Sequence, residues 1–276
     1  MILDGKKIAS IMTNNIAKEV LELKEPVTLA LFLIGADPAS LVYVANKKKA
    51  CEDTNILVEE HFLPYNITQK EVIKQIEDCN NNPKINGILV QMPLPNHLDS
   101  DAILNTISPN KDVDGLGIIN QGKLLSGKEC LVPATPKGVI TLLKKHYIDI
   151  AGKNVVVIGR SRLVGKPLAL LFLKNNATVT VAHSKTTNLK EITRRADIVC
   201  VAVGIPNFIS ADMIKKDAVV VDIGINKVEG KIIGDVKFNE VSEVASYISP
   251  VPKGVGPMTI VSLLENILIC YHLQKD

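Results

Sequence analysis

Short apolar runs closed by glycine or proline alternate along this chain with stretches whose apolar residues recur at helical spacing. The run VTLALFLIG, Val27–Gly35, predicts a strand, and a helix follows from about Ala39 to Thr54. Asn55 stands where a helix C-cap favours a left-handed residue, a conformation asparagine tolerates. Further strands are predicted at Leu57–Leu63 and Gly87–Met92. Helices are predicted at Gln69–Asn80 and, behind Asp99, at Ser100–Ile107. Leu94-Pro95 breaks the chain between the last two. Such a βαβαβ succession, with nearly continuous apolar strands, predicts a parallel sheet covered on both faces.

After a loop-rich middle, Ser108–Pro136, the alternation resumes. Thr135 as N-cap and Pro136 at the first helical position open a helix running to about His146. Strands follow at Asn154–Ile158, Thr178–Ala182, Ile198–Val203 and Ala218–Ile223, with a helix at Lys166–Lys174. Gly230 and Gly234 punctuate a hairpin or bulged segment, and Met258–Leu273 reads as a long amphipathic helix behind the Pro/Gly-rich Ser249–Pro257. The expected architecture is α/β: two domains with parallel sheets flanking a cleft, the C-terminal one of Rossmann type.

Composition narrows the function classes. Of 276 residues 46% are hydrophobic, which suits packed cores and excludes disorder as the dominant state. The net charge of +3 gives no broad basic surface, and the absence of Trp with 4% aromatics gives no base-stacking platform. Nucleic acid is therefore not expected as a partner. Cys51, Cys79, Cys130, Cys200 and Cys270 form no CxxC pair and lack histidines at zinc spacing, so buried reduced thiols and no metal are expected. The start, MILDGKKIAS, lacks a signal-peptide core, and no run of about 18 apolar residues suggests a membrane span. A soluble cytoplasmic protein is the expectation.

The candidate chemistry falls in two places. In NVVVIGRSRLVGKPLALLF a strand leads into Gly159 and Gly165 and then into a helix opened by Pro167. Glycines there let the backbone approach a pyrophosphate, whose charge favours a helix N-terminus. An NAD site would carry an acid about 20 residues on, to bind the ribose 2′-hydroxyl. Here the next strand runs into His183-Ser184-Lys185-Thr186, which has no acid, while Arg160, Arg162 and Lys185 are cations and Ser184 is a hydroxyl donor. NADP, with its 2′-phosphate, fits better than NAD. In the first half, Tyr43 and Lys47 lie i,i+4 on one helix, although the run Lys47-Lys48-Lys49 also suits a solvated face. Gln91 ends the third strand, where open α/β sheets place ligands. Asp112 and Asp114 of KDVDG stand in a loop where a turn-forming role is equally open.

At these residues the chain resembles a known family. GADPASLVYVANKKKA, GILVQMPLP, KDVDG, GRSRLVGKP and SPVPKGVGPMT, in that order, are similar to the bifunctional methylenetetrahydrofolate dehydrogenase/methenyltetrahydrofolate cyclohydrolases. The resemblance implies a folate-catalytic domain over 1–134, completed by a C-terminal helix over 257–276, and an NADP-binding domain over 135–256. It makes Lys47 the key lysine, Tyr43 its partner against the folate rings, Gln91 the residue that tunes the lysine, and Asp114 the pterin anchor. Gly159, Arg160, Ser161 and Ser184 fall on NADP contacts, with Ile225 beside the cofactor. Pro252, Gly256, Pro257 and Thr259 match the loop bordering substrate and nicotinamide. The implied partners are tetrahydrofolate derivatives and a second copy of the chain, in one-carbon metabolism and purine biosynthesis. Three departures stand out: Lys253 where the family loop usually has Gly, Ala134 for a usual Cys or Ser, and Lys237 for an Asp in GDVKF. The rival expectations are a shikimate dehydrogenase-like NADP oxidoreductase and a non-catalytic dinucleotide-binding module.

Overall fold

A computed structural model describes residues 1–35 and 37–275, without the side chains of Pro38 and Ala39; Ala36 of GADPAS and Asp276 lie outside the described residues. The first half contains α1 (Gly5–Glu22), β1 (Thr28–Ile34), α2 (Pro38–Glu52), β2 (Leu57–Leu63), α3 (Gln69–Asn81), β3 (Gly87–Val90), α4 (Ser100–Thr106) and α5 (Ile118–Leu125). Then come α6 (Ala134–Lys145), β4 (Asn154–Ile158), α7 (Gly165–Lys174), β5 (Thr178–Ala182), α8 (Leu189–Thr193) and β6 (Ile198–Val201). The chain closes with β7 (Val219–Asp222), β8 (Asn226–Val228), β9 (Lys231–Ile233), α9 (Phe238–Val244), β10 (Tyr247–Ile248) and α10 (Val255–His272).

These elements form two compact units. Ile11–Ala134 with Ile260–Asp276 make the N-terminal unit, and Met1–Ser10 with Thr135–Thr259 the C-terminal one. The division falls inside α1 and α10. Leu3 N donates to Ile248 O at 2.9 Å, which ties the first residues to the C-terminal unit.

The N-terminal unit is built on a parallel sheet of order β2-β1-β3. β1 is apolar after its first residue and buried there because it is the central strand. Its Ala30, Phe32 and Ile34 pack with Val72 and Ile76 of α3, Ile88 and Val90 of β3, and Ile103 of α4. β2 is the edge strand and carries Glu59, Glu60 and His61, a charged rim of the kind that discourages edge-to-edge pairing. α3 starts with a reciprocal capping box between Thr68 and Glu71. Its far end is held by the buried Lys111, whose Nζ donates to the carbonyls of Cys79, Asn80 and Asn82 at 3.1, 2.9 and 2.8 Å.

The C-terminal unit holds a five-stranded parallel sheet of order β10-β7-β6-β4-β5 and the antiparallel hairpin β8-β9. Counted from β5, the order is 2-1-3-4-5, a doubly wound arrangement whose switch point lies between its first and third strands, β4 and β6.

Several sequence expectations need correction. α1 was not anticipated, although Asp4 announces it: its carboxylate accepts from Lys7 N at 3.0 Å, in the first turn. α5 lies inside the segment expected to be loop, and α8, α9 and β10 are too short to leave a periodic trace. α6 begins at Ala134, so Thr135 is not its N-cap; its hydroxyl instead pairs with that of Thr259 at 3.0 Å. α7 begins at Gly165, two residues before Pro167. Asn55 does take φ 59, but α2 is capped by Asp53 and ends earlier. Four of the five cysteines are buried and Cys130 is half-buried.

Among the described residues one helix, α10, is long and apolar enough by length and composition alone to cross a membrane, with mean hydropathy 1.3 over 18 residues. It is used internally: 61% of the helix is buried. Asn266 in its middle donates to Val113 O and Val132 O, both at 2.8 Å, which suits a core helix better than lipid.

Candidate functional site

In the N-terminal unit the switch point lies between β1 and β3, and Gln91 is the residue that leaves β3 there. Its backbone N–H still donates to Phe32 O at 2.9 Å, which extends the ladder by one residue and fixes the side chain. Gln91 Nε2 donates to Met92 O at 2.7 Å, so the amide must turn its oxygen outward. That oxygen accepts from Lys47 Nζ at 3.1 Å. The amine is thus held by a neutral acceptor that adds no charge.

The three consecutive lysines separate because 100° of helical rotation sets them on different faces. Lys47 points to Gln91, Lys48 pairs with Glu60 on β2, and Lys49 is exposed. Cys51, one turn beyond Lys47, is buried, and burial pushes its thiol up to about 12 against the nearby Lys47 charge. It is therefore an inert packing thiol. Tyr43 is 41% exposed one turn before Lys47, and Asp114 is half-buried. Neither hydrogen-bonds to the Lys47–Gln91 pair among the described residues.

KDVDG divides its work. Lys111 holds α3, as above. Asp112 is buried and accepts from Leu116 N, Gly117 N and Asn120 Nδ2 at 3.2, 2.8 and 3.1 Å. Burial raises its pKa above the ordinary carboxylate value, while those donors oppose the shift. Asp112 is the turn-forming acid, and Asp114 stands outside that network.

In the C-terminal unit β4 runs into Gly159, whose φ of 126 is closed to L side chains. A Cβ there would also lie 2.4 Å from Ala202 O, the residue that follows β6. The turn therefore sits against the exit of β6, at the switch point. Gly159 N donates to Ala182 O at 2.8 Å, which joins this turn to the one that begins at His183. Ser161 Oγ accepts from Val164 N and Gly165 N at 3.1 and 3.4 Å, and Ser161 O from Lys166 N at 3.1 Å. The first amides of α7 are thus already occupied, contrary to the expectation that the helix end itself would take a phosphate. The amides of Arg160, Ser161 and Leu163 have no acceptor among the described residues, and an anion can take them.

The next turn is closed by His183 N donating to Thr186 Oγ1 at 2.8 Å and Thr186 N to His183 O at 2.8 Å. Arg160, Ser184 and Lys185 are all exposed, with no carboxylate within the two turns. Ile225, 49% exposed, follows β7 on a loop set by a feature that sequence reasoning missed, the buried acids Asp222 and Asp235. Pro252 and Lys253 are exposed ahead of α10, while Gly256 and Pro257 occupy its first turn. Lys253 takes φ 89, a conformation costly for a side chain, which accounts physically for a glycine at that place. Thr259 Oγ1 is already within 3.0 Å of Thr135 Oγ1 and 3.3 Å of Val255 O.

Among the described residues one further cluster, Glu59, His61 and Cys79 at the edge strand, has metal-ligand atom types within 4.8 Å of one another. It contains the His61–Glu59 contact of 2.9 Å, and His61 stacks on Phe32 with ring centroids 4.2 Å apart.

One unit that ends its sheet in an amine held by an amide, and another that ends its sheet in open backbone amides, define an α/β enzyme of the dinucleotide-binding class. The particular family follows from direct comparison. The chain belongs to the tetrahydrofolate dehydrogenase/cyclohydrolase family: the family's catalytic domain matches residues 3–114 and its NAD(P)-binding domain residues 133–275. It is 50% identical over 270 residues to a bifunctional protein FolD of Bacillus anthracis, covering 96% of this chain and 94% of that one. The crystal structure of the bifunctional FolD dehydrogenase/cyclohydrolase from Campylobacter jejuni is 46% identical, with TM-score 0.98 over 99% of both chains. The Trypanosoma brucei FolD, solved with NADP cofactor and an inhibitor, is 35% identical, with TM-score 0.95 over 99% of this chain and 97% of that one. Neither rival expectation is favoured.

Proposed function

We propose that this chain oxidises 5,10-methylenetetrahydrofolate to 5,10-methenyltetrahydrofolate with NADP⁺ and then hydrolyses the product to 10-formyltetrahydrofolate. The observation that carries the reading is the Lys47–Gln91 contact at the N-terminal switch point, within a chain of this family. The cofactor fits the C-terminal unit, because the turn after Gly159 leaves the amides of Arg160, Ser161 and Leu163 open at the switch point and the acid-free His183–Thr186 turn suits a 2′-phosphate. NADP⁺, when bound, supplies the hydride acceptor. Arg160 and Ser184 are the proposed readers of the 2′-phosphate, and Gly159 and Ser161 line the pyrophosphate. Ile225 borders the nicotinamide.

The oxidation removes a hydride from the methylene carbon and leaves a cationic amidinium. It needs no proton transfer, only the holding of the pterin, proposed for Tyr43 and Asp114, and a bordering surface from Pro252, Gly256, Pro257 and Thr259. Hydrolysis does need proton transfer. Water adds to the amidinium carbon, a proton leaves, and the ring carbon–nitrogen bond breaks to give the formyl product. Lys47 is the group that takes and returns protons in these steps, and Gln91 orients its amine without an added negative charge that would hold the proton on it.

The reading includes a homodimer through Asn226–Phe238 and action in the cytoplasm, where the formyl product serves purine biosynthesis. Sedimentation with only a 30.0 kDa species at micromolar protein would remove the dimer. The activity is tested by adding methylenetetrahydrofolate with NADP⁺ or NAD⁺ and following nicotinamide reduction and methenyl absorbance together. Signal with NADP⁺ is expected; silence with both cofactors would sink the enzyme reading.

A further inference from the structure

Two carboxylates in the C-terminal unit are buried at 3% and 0% exposure, and neither was singled out as a site residue from the sequence. Asp222 ends β7. Its Oδ1 accepts from Gly224 N and Asp235 N at 3.0 and 2.9 Å, and its Oδ2 from Val236 N at 2.9 Å. Asp235 follows the β8-β9 hairpin. Its Oδ2 accepts from Val203 N and Gly204 N at 2.7 and 2.9 Å, and its Oδ1 from Asn226 Nδ2 at 2.9 Å. Ser249 joins the network: Asp222 N donates to its Oγ at 2.7 Å, and that oxygen lies 3.2 Å from Asp222 O. The fit leaves no slack, since a Cβ on Gly234 would lie 1.8 Å from Asp222 Oδ2 and one on Gly224 would lie 2.1 Å from Asp235 Cγ.

The amides held in this way are not scattered. Val203 and Gly204 form the exit of β6, directly after Ala202, against which the Gly159 turn packs. Gly224 precedes Ile225 at the exit of β7, and Ser249 heads the segment that leads to Pro252. Two loops at the carboxyl edge of one sheet therefore end on two buried carboxylates, and a third, at Ser249, ends on the Asp222 backbone. A carboxylate suits this task better than an amide side chain. All four of its lone-pair sites accept, and five backbone N–H groups and one side-chain N–H need acceptors here.

We propose that Asp222 and Asp235 are positioning residues for hydride transfer, their carboxylates setting loops 203–204 and 224–226 where the nicotinamide end of the cofactor binds. The inference rests on the dehydrogenase reading above and deepens it. It assigns the pair no part in the hydrolysis, whose proton chemistry belongs to Lys47 in the other unit.

That split is the test. In the full-length protein, Asp235→Asn keeps the shape but replaces one acceptor oxygen with a donor that faces donors. The NADP⁺-dependent kcat/KM with methylenetetrahydrofolate is expected to fall about 10- to 100-fold, the loss typical of a hydrogen bond to a charged group. Hydrolysis of preformed methenyltetrahydrofolate, assayed without nucleotide, is expected to stay within about twofold of the starting protein. Asn226→Ala, which removes a single donor to Asp235, gives the same split at smaller amplitude and decides the matter if Asp235→Asn does not fold. Equal loss of both activities, or an unchanged dehydrogenase in both variants, would overturn the assignment. A starting protein that hydrolyses the methenyl compound but never reduces NADP⁺ would instead strike the dehydrogenase reading itself.

Discussion

At the carboxyl edge of the N-terminal sheet the chain presents Gln91 with the Lys47 amine against it, while the same edge of the C-terminal sheet presents Gly159 and the bare amides after it. In both parallel sheets the strand order reverses there, between β1 and β3 in one and β4 and β6 in the other. The two units thus offer the same crevice and fill it with different material. Proton transfer needs an ionisable group of chosen basicity, which only a side chain supplies. Holding a pyrophosphate needs several donors at close range, which backbone amides supply once no Cβ intervenes. Each unit also holds a buried aspartate that accepts backbone amides, Asp112 in the first, within its own turn, and Asp222 in the second, at the exit of β7. The division of labour is therefore between a side chain at one edge and backbone amides at the other.

The sharpest way to break this comparison is to remove the amine. Lys47→Met keeps most of the stem and deletes the proton carrier. Hydrolysis of preformed methenyltetrahydrofolate is expected to fall about 10²- to 10⁴-fold, the usual worth of general acid–base catalysis. Dehydrogenase activity should survive in part, because hydride transfer needs no proton carrier. Gln91→Glu should also impair hydrolysis most near neutral pH, because a carboxylate at that position would hold the lysine proton. Hydrolysis by Lys47→Met at the starting rate would remove Lys47 from the mechanism.

A second test concerns the buried aspartate of the C-terminal unit. Burial raises the Asp222 pKa from 3.8 to about 6, and the Asp235 charge adds to the shift, while the Asp235 and Val236 amides oppose it. The folded state therefore binds this proton more tightly than the unfolded chain. The sign follows: the contribution of Asp222 to stability is largest below pH 4, declines as pH rises through that window, and is flat above it. Urea unfolding of the starting protein and Asp222→Asn between pH 4 and 7 isolates the effect. The difference between them should shift with pH by no more than about 3 kcal/mol, against the starting protein as pH rises. A difference that moves the other way would contradict the assignment.

How much of this was legible in the sequence depends on what carried each part. Five of the seven longest strands were readable because parallel strands buried on both faces are continuous apolar runs; β1, β4 and β7 contain almost nothing else, while the edge strands β2 and β5 are largely exposed. The glycine turn was readable because a φ of 126 forces the residue type. Lys47 was readable only through the family resemblance, since a run of three lysines looks solvated until β2 and β3 draw Lys48 and Lys47 to different partners. Asp222 and Asp235 were not singled out, although Asp235 stands inside GDVKF. Most of their partners are backbone amides, four of them 13 to 32 residues away, and an amide has no letter in the sequence. The short helices α8 and α9 were lost for lack of length.

A smaller effect sharpens the cofactor half of the comparison. Arg160 is exposed in the turn joined through Gly159 and Ala182 to His183–Thr186, and no acid is present in either turn. If its guanidinium reads the 2′-phosphate, Arg160→Ala should weaken NADP by about 1.5–3 kcal/mol and leave NAD nearly unchanged. Comparing the two Michaelis constants in the variant decides it. An equal loss for both would assign Arg160 to the pyrophosphate that the two cofactors share.

The smallest effect comes from how the two units begin their helices. In the N-terminal unit Asp37, Thr68 and Asp99 cap α2, α3 and α4 with side-chain oxygens. In the C-terminal unit α8 and α9 start with no side-chain cap, and only the Ser161 hydroxyl, lying before α7, closes that helix. At α9 the residue in the cap position is Lys237, one of the three departures from the family pattern. It cannot accept an amide hydrogen, and it places a cation at the positive end of the helix dipole. Its contact with Glu240 is 3.6 Å long between two side chains about half exposed, a geometry that contributes little. Lys237→Asp restores both an acceptor and a favourable charge, so it should raise unfolding stability by about 1 kcal/mol. Neither activity should change, because the substitution adds a cap without touching Asp222, Asp235 or either sheet edge. Denaturant unfolding at pH 7 measures it, and a variant no more stable than the starting protein would mean that α9 gains nothing from a cap.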